Sequence, residues 1–210
     1  MIKKNLKVLI ITSIVILLPI IVGLILWDKL PDKVPAHWNI KNEVDGYVSK
    51  PFFVFGLPLI LLAFHWLCVI ITSLDPKQKN HPTKILHLVF WLIPAINLVL
   101  SVLTYSTTLG LGMQIGIILP LFMGLLFLII GNYLPKCKQN YTIGIKISWT
   151  LNSEENWNRT HRFAGWVWTV CGIIIMATSF LSIWWIFFAL ILVMVIVPFI
   201  YSFILYKKGI

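Results

Sequence analysis

The chain has 210 residues, of which 59% are hydrophobic and only 11% are charged. Soluble domains average about 25% charged residues, so a water-soluble globule is excluded: it would lack a polar surface. The net charge of +10 does not indicate a direct nucleic-acid partner, because the bases sit in small groups beside apolar runs and form no stripe with interleaved aromatics. Placed in this way, they orient helices in a bilayer and attract anionic headgroups.

Lys7 and Asp28 bracket a stretch without Asp, Glu, Lys or Arg, which predicts a first membrane helix over about Val8–Trp27; a span requires roughly 20 apolar residues. Basic residues precede this run as in a signal peptide, but no small-residue cleavage site follows, so it reads as a retained span. A polar segment, Asp28 to Lys50, leads to a second helix over about Phe52–Thr72. Asp75-Pro76 and His81-Pro82 then stop the helix and start a linker. The charge-free run from Lys84 to Lys136 holds two spans, about Ile85–Leu103 and Met113–Tyr133, joined by a turn over Thr104–Gly112. A second polar segment, Leu134 to Arg162, precedes helices over about Phe163–Ser179 and Ile183–Tyr206. The fold class is therefore an all-α integral membrane protein, a bundle of about six transmembrane helices.

Orientation follows from lysine and arginine in the flanking loops. With the N-terminus inside, the outer segments hold Lys29, Lys33, Lys41 and Lys50, which Asp28, Asp32, Glu43 and Asp45 balance; the other thirteen of the 17 bases lie inside. Both termini are therefore expected in the cytoplasm. Pro19, Pro58, Pro94, Pro120 and Pro198 fall within spans, where they shape packing. His65, His87, Asn97 and Gln114 are read as interhelical hydrogen-bond partners, each worth about 1 kcal/mol or less. No Asp or Glu lies inside a span, which argues against an ion-driven pump. Cys68, Cys137 and Cys171 are odd in number and widely spaced, and predict neither disulfide nor metal site.

The outer loop reads as a compact surface loop with a turn at Asp45-Gly46. His37, Glu43 and Asp45 carry metal-ligating groups without a known spacing. Trp38 and Tyr47 offer flat apolar area among charges of both signs, as a recognition surface does. On the inner side, Tyr141–Thr150 alternates like an extended segment or short strand. Asn152-Ser153-Glu154-Glu155 resembles a capping box and starts a helix near Ser153. Trp157, His161, Ala164 and Trp168 share one face of it, and Arg159 and Arg162 lie at the headgroups where this interfacial helix bends into helix five.

Gly131-Asn132-Tyr133-Leu134-Pro135-Lys136-Cys137-Lys138, Asn140 to Lys146, Trp149-Thr150-Leu151, Asn156-Trp157 and Thr160-His161-Arg162 together resemble the signature of the SdpI family, bacterial membrane proteins named for immunity to a secreted peptide toxin. Leu30-Pro31, Pro35, His37-Trp38-Asn39, Asp45-Gly46 and Lys50 resemble the small N-terminal domain of unknown function that often accompanies it. Asn42 and Val44 replace the more usual Gly and Pro, and Asn tolerates a left-handed turn. Gln139, Lys146 and Ser148 stand where Pro, Arg and Pro are more usual, and lysine lacks the planar fork of arginine.

The resemblance implies three parts: an N-terminal two-helix unit (1–74) with the outer loop (28–50), a cytoplasmic linker (75–84), and a four-helix unit (85–210) with a cytoplasmic motif (131–162). It implies a plasma-membrane immunity protein that protects its cell from a membrane-active peptide toxin and signals the toxin's presence to a cytoplasmic repressor. Expected toxin contacts are His37, Trp38, Asn39, Glu43, Asp45, Tyr47 and Lys50. The motif residues are Asn132, Pro135, Lys136, Asn140, Gly144, Lys146, Trp149, Trp157, Thr160, His161 and Arg162. Expected partners are the bilayer, the toxin and the repressor, with no cofactor or metal. Catalysis around a headgroup by Asn132, Lys136, His161 and Arg162 has no nucleophile–base pairing behind it, and no enzyme is expected. A small-molecule transporter or sensor without a toxin role is the alternative.

Overall fold

The computed structural model describes residues 1–77, 79, 82–181 and 183–210. Six helices among them are long and apolar enough to cross a membrane. The chain divides into two compact units, Met1–Ser73 with Leu86–Ile115, and Leu74–Ile85 with Gly116–Ile210. The expected division at residue 85 placed helix three with the last three helices, whereas from Leu86 onward that helix packs within the first unit. The His81-Pro82 helix stop rests on His81, which lies outside the described residues.

The first unit contains α1 (Leu6–Ile25), strands β1 (Lys33–Trp38) and β2 (Val44–Ser49), α2 (Leu57–Ser73) after a π-helical turn at Phe52–Gly56, and α3 (Thr83–Thr108) from Leu86 on. Leu9, Thr12, Ile16, Pro19 and Gly23 form the buried stripe of α1 at helical spacing. Polar groups tie this stripe to its neighbours. The Thr12 hydroxyl donates to Leu9 O and lies 3.1 Å from His65 Nε2 of α2, so the histidine supplies the proton of that second bond. Asn97 Nδ2 donates to Ile16 O at 2.9 Å and the Tyr105 hydroxyl to Pro19 O at 2.8 Å, which anchors α3 on the backbone around the α1 proline. Because Tyr105 makes this contact, α3 continues through Thr108, and the expected turn at Thr104–Gly112 shrinks to its last four residues. Of the four polar residues expected to bond between helices, His65 and Asn97 do so. His87 is exposed, with its ring beside Phe90, and Gln114 lies outside the helix, exposed just before α4.

The second unit holds α4 (Ile115–Tyr133) from Gly116 on, a short helix α5 (Ser148–Asn152), α6 (Glu154–Thr178) and α7 (Trp184–Lys207). Glycines set the α4–α6 crossing: a Cβ on Gly124 or Gly172 would strike the carbonyl of the other, and the same holds for Gly131 and Gly165. Small residues of this kind let membrane helices approach closely. α7 is fixed to α6 by Trp168 Nε1 donating to Met194 O at 3.0 Å, and by Asn156. The Asn156 amide donates to Ser202 O, and its carbonyl accepts the Ser202 hydroxyl. The expected interfacial helix and helix five form one continuous helix, α6. Its cap is Ser153, whose side chain accepts from Asn156 N–H at 3.1 Å, one residue later than the expected Asn152.

Candidate functional site

Two polar elements stand out from the helices, one in each unit. The first is a hairpin of β1 and β2, antiparallel, with Val34 opposite Val48 and Trp38 opposite Val44. The strands escape a simple alternation rule because bulges flank His37 and Pro35 interrupts the ladder. The turn is at Asn39–Glu43, not at Asp45-Gly46. Asn39 Oδ1 accepts the N–H groups of Lys41 and Glu43, its Nδ2 donates to Glu43 Oε2, and Asn42 takes the left-handed conformation at φ 64°. Asp45 and Gly46 instead lie in β2 across from His37. Asp45 Oδ1 is 2.5 Å from His37 Nδ1, and a Cβ on Gly46 would collide with that of His37.

The hairpin stands on a fixed base. Val34 packs with Leu30, Phe53, Val54 and Tyr105, and Val48 joins the rim of this cluster. Lys50 Nζ donates to Trp27 O and Leu30 O at 3.2 and 2.9 Å and sits 5.0 Å over the Trp27 ring. Lys50 and Asn39, both expected as contacts, therefore hold the hairpin together. His37, Asp45, Glu43 and Tyr47 remain exposed, and Trp38 is half-buried.

The second element is the polar loop between α4 and α6. Asn140 is fully buried and organises its first half: its Oδ1 accepts Thr142 and Ile143 N–H at 2.8 and 2.7 Å, while its Nδ2 donates to Lys138 O and Ile143 O. Trp157 Nε1 donates to Cys137 O at 2.7 Å. The indole stacks on the His161 ring at 4.0 Å, four residues on along α6. His161 Nε2 accepts Ile145 N–H at 2.9 Å, so Nδ1 carries the proton and donates it to Trp157 O at 2.8 Å. Gly144 lies over both rings at φ +119°. The Thr150 hydroxyl closes the second half, 2.8 and 2.9 Å from Ile145 O and Ile147 O. The expected extended segment is thus a hydrogen-bonded coil followed by a helical turn, Ser148–Asn152.

The connector between α2 and α3 meets this loop. Asp75 is buried; its Oδ2 accepts Tyr141 N–H and the Thr142 hydroxyl, both at 2.9 Å, and its Oδ1 accepts Lys77 N–H. Lys77 Nζ reaches Gln139 Oε1 at 2.6 Å and lies over the Tyr141 ring, while Gln139 Nε2 donates to Thr150 O and Leu151 O. Sequence reasoning treated Asp75 only as a helix stop. The available signal was its isolation, since no other acid lies between Asp45 and Glu154.

The structure interlocks Asn140, Gly144, Trp157 and His161. Thr160 donates to Asn156 Oδ1, and Trp149 stacks against Tyr206 beside Phe199 and Phe203. Asn132, Pro135 and Lys136 lie apart at the end of α4, and Lys146 and Arg162 are exposed. Both His161 nitrogens are engaged. Burial, offset in part by the Asn140 amide, pushes the Cys137 thiol up to about 11. The polar side chains of this centre are engaged with the loop's own backbone, which fixes its shape.

Residues 136–202 match the SdpI/YfhL protein family, and residues 14–62 match a domain of unknown function, DUF1648. The chain is 34% identical over 209 residues to the "Immunity protein SdpI" of Bacillus subtilis (strain 168), covering 98% of this chain and 97% of that protein. No solved structure matches.

Proposed function

From the premise that the chain belongs to the SdpI/YfhL family and is a multi-pass protein of the plasma membrane, we propose that it is an immunity protein that protects its cell from a secreted, membrane-active peptide toxin. The hairpin carries this reading. With the bases directed to the cytoplasm, β1 and β2 face the outside. They present His37, Asp45 and Tyr47 on a platform clamped by Lys50 and seated on Val34. An aromatic flanked by charges on a rigid base suits peptide recognition, because little ordering cost remains to be met on binding. The test is survival and membrane potential of a sensitive Gram-positive strain challenged with an SDP-type peptide. The chain protects, and Trp38→Ala/Tyr47→Ala loses at least tenfold of that protection at equal abundance in the membrane. Full protection by the double variant sinks the hairpin's role, and no protection by either sinks the immunity reading.

The Asp75 network favours a second, compatible role. It fastens the α2–α3 connector, which continues α2 directly from the hairpin side of the chain, to the polar loop. On this reading a toxin held outside alters the loop that a cytoplasmic repressor recognises. Toxin-dependent co-sedimentation of the repressor with membranes, lost in Asp75→Asn while protection persists, is the expected result. Recruitment unaffected by Asp75→Asn rejects the network as the route.

A further inference from the structure

Asn132, Lys136 and Arg162 take no part in the interlocked centre of the polar loop, and the structure gives them a different setting. Where Gly131 of α4 meets Gly165 of α6, each backbone carbonyl sits where the other residue's Cβ would be. Beside this contact the two helices leave a cavity of about 200 Å³, lined by Gly131, Asn132, Pro135, Gly165, Trp166 and Thr169. Asn132 is exposed and Trp166 is 73% exposed. Among the described residues neither side chain makes a hydrogen bond within the chain.

Two cations stand at the rim. Arg162 precedes Trp166 by four residues on α6, one turn beyond the cavity on the same helix face, and Lys136 directly follows the lining residue Pro135 in the 3-10 turn Leu134–Lys136 that succeeds α4. Lys136 rests 5.0 Å over the Tyr133 ring. Arg162 is exposed and, among the described residues, has no ion-pair partner, whereas nearby Arg159 is held by Glu155 at 2.6 Å. The cavity also sits at a definite depth, because the charge-free stretch that begins at Lys84 ends at Lys136, and Arg162 opens the next.

We infer that this cleft is a binding site for an anionic phospholipid, with Arg162 and Lys136 on the phosphate, Asn132 on the headgroup oxygens and Trp166 along the upper acyl chain. Basic pockets between membrane helices are suited to such headgroups, and tryptophan favours this boundary. The size agrees: soluble-ligand pockets run about 300–1,000 Å³ and enclose most of their ligand. This smaller, open cleft suits a ligand whose remainder lies in the bilayer. The bases at the end of α7, Lys207 and Lys208, adjoin a separate cavity, lined in part by Trp149, Tyr206, Gly209 and Ile210, and provide the control for charge at the same end of the unit.

Delipidated full-length protein titrated with phosphatidylglycerol or phosphatidylcholine, with retained lipid counted by native mass spectrometry, tests the site. Phosphatidylglycerol is retained in preference to phosphatidylcholine. K136Q/R162Q weakens that retention by roughly tenfold or more, as expected for two surface cations. N132L, which leaves every charge in place, also weakens it. K207Q/K208Q, which removes the same charge at the same end of the unit, stays near the parent chain, and millimolar glycerol 3-phosphate does not displace the lipid. Equal losses in the two charge-removing variants would mean diffuse attraction and overturn the site. So would unchanged retention in both K136Q/R162Q and N132L, or full displacement by glycerol 3-phosphate, which would make the ligand a free phosphate.

Discussion

Gly144 shows how much one residue holds in place. Its φ of +119° lies where L side chains are strained, and a Cβ there would also run into His161 Nε2 and the Trp157 ring. Gly144→Ala therefore carries backbone strain of about 1–3 kcal/mol and also displaces the Ile145 N–H from its histidine acceptor. Gly110, at φ +69° with nothing within 4 Å of a Cβ, carries strain alone. Thermal unfolding in detergent should show a clearly larger drop for Gly144→Ala than for Gly110→Ala; equal drops would mean that the ring contact contributes nothing. Cys137 adds a pH dependence. Its thiol ionises near 9 when unfolded and near about 11 when folded, through burial. The folded state keeps its proton longer, so this contribution is intact below pH 9 and is lost as pH rises through about 11. Maleimide labelling of Cys137 should stay slow at pH 7–9 in the folded chain and become fast once detergent denaturation exposes it.

At the scale of elements, the six spans were legible because a bilayer demands length and apolarity and little else. The hairpin was not. Six-residue strands with a proline and two bulges blur the period-two pattern, and Asp45-Gly46 offers stronger turn chemistry than Asn39–Glu43 when read without pairing partners. The start of α6 was read one residue early, because Asn152 and Ser153 are both good caps and only geometry shows which side chain reaches an N–H. Ser153→Ala should cost about 1 kcal/mol, whereas Asn152→Ala should cost little; the reverse order in thermal unfolding would restore the sequence-based cap. Asn39→Ala removes the acceptor for two turn N–H groups. Faster hydrogen exchange across residues 33–49, with the helices unchanged, is the expected result.

Over the whole molecule, the family resemblance implied an N-terminal two-helix unit (1–74), a linker (75–84) and a four-helix unit (85–210). Each compact unit is built of two chain segments: the connector Leu74–Ile85 groups with Gly116–Ile210, and within the other unit α3 is tied to α1 through Asn97 and Tyr105. Neither fact has a local signature. A lone asparagine in an apolar run looks the same whichever helix it touches, and Asp75 meets Tyr141 across 66 positions. A piece comprising residues 116–210 lacks Asp75 and Ile85, and with them a wall of the cluster around Cys137 and Trp157. It should be degraded quickly when expressed alone and be stabilised when residues 1–115 are co-expressed, as pulse-chase would measure.

The reach of Asp75 also sets a clock. At about 5–20 residues per second of synthesis, the 66 positions that separate it from Tyr141 correspond to roughly 3–13 s. For that long after the carboxylate emerges from the ribosome, two of its donors have not yet emerged. A charged group cannot be buried unpaired without a cost of several kcal/mol, so the connector must stay hydrated while α3 and α4 enter the bilayer. The bonds between the α2–α3 connector and the polar loop therefore cannot form until Tyr141 and Thr142 have emerged, after the segments of α1, α2 and α3.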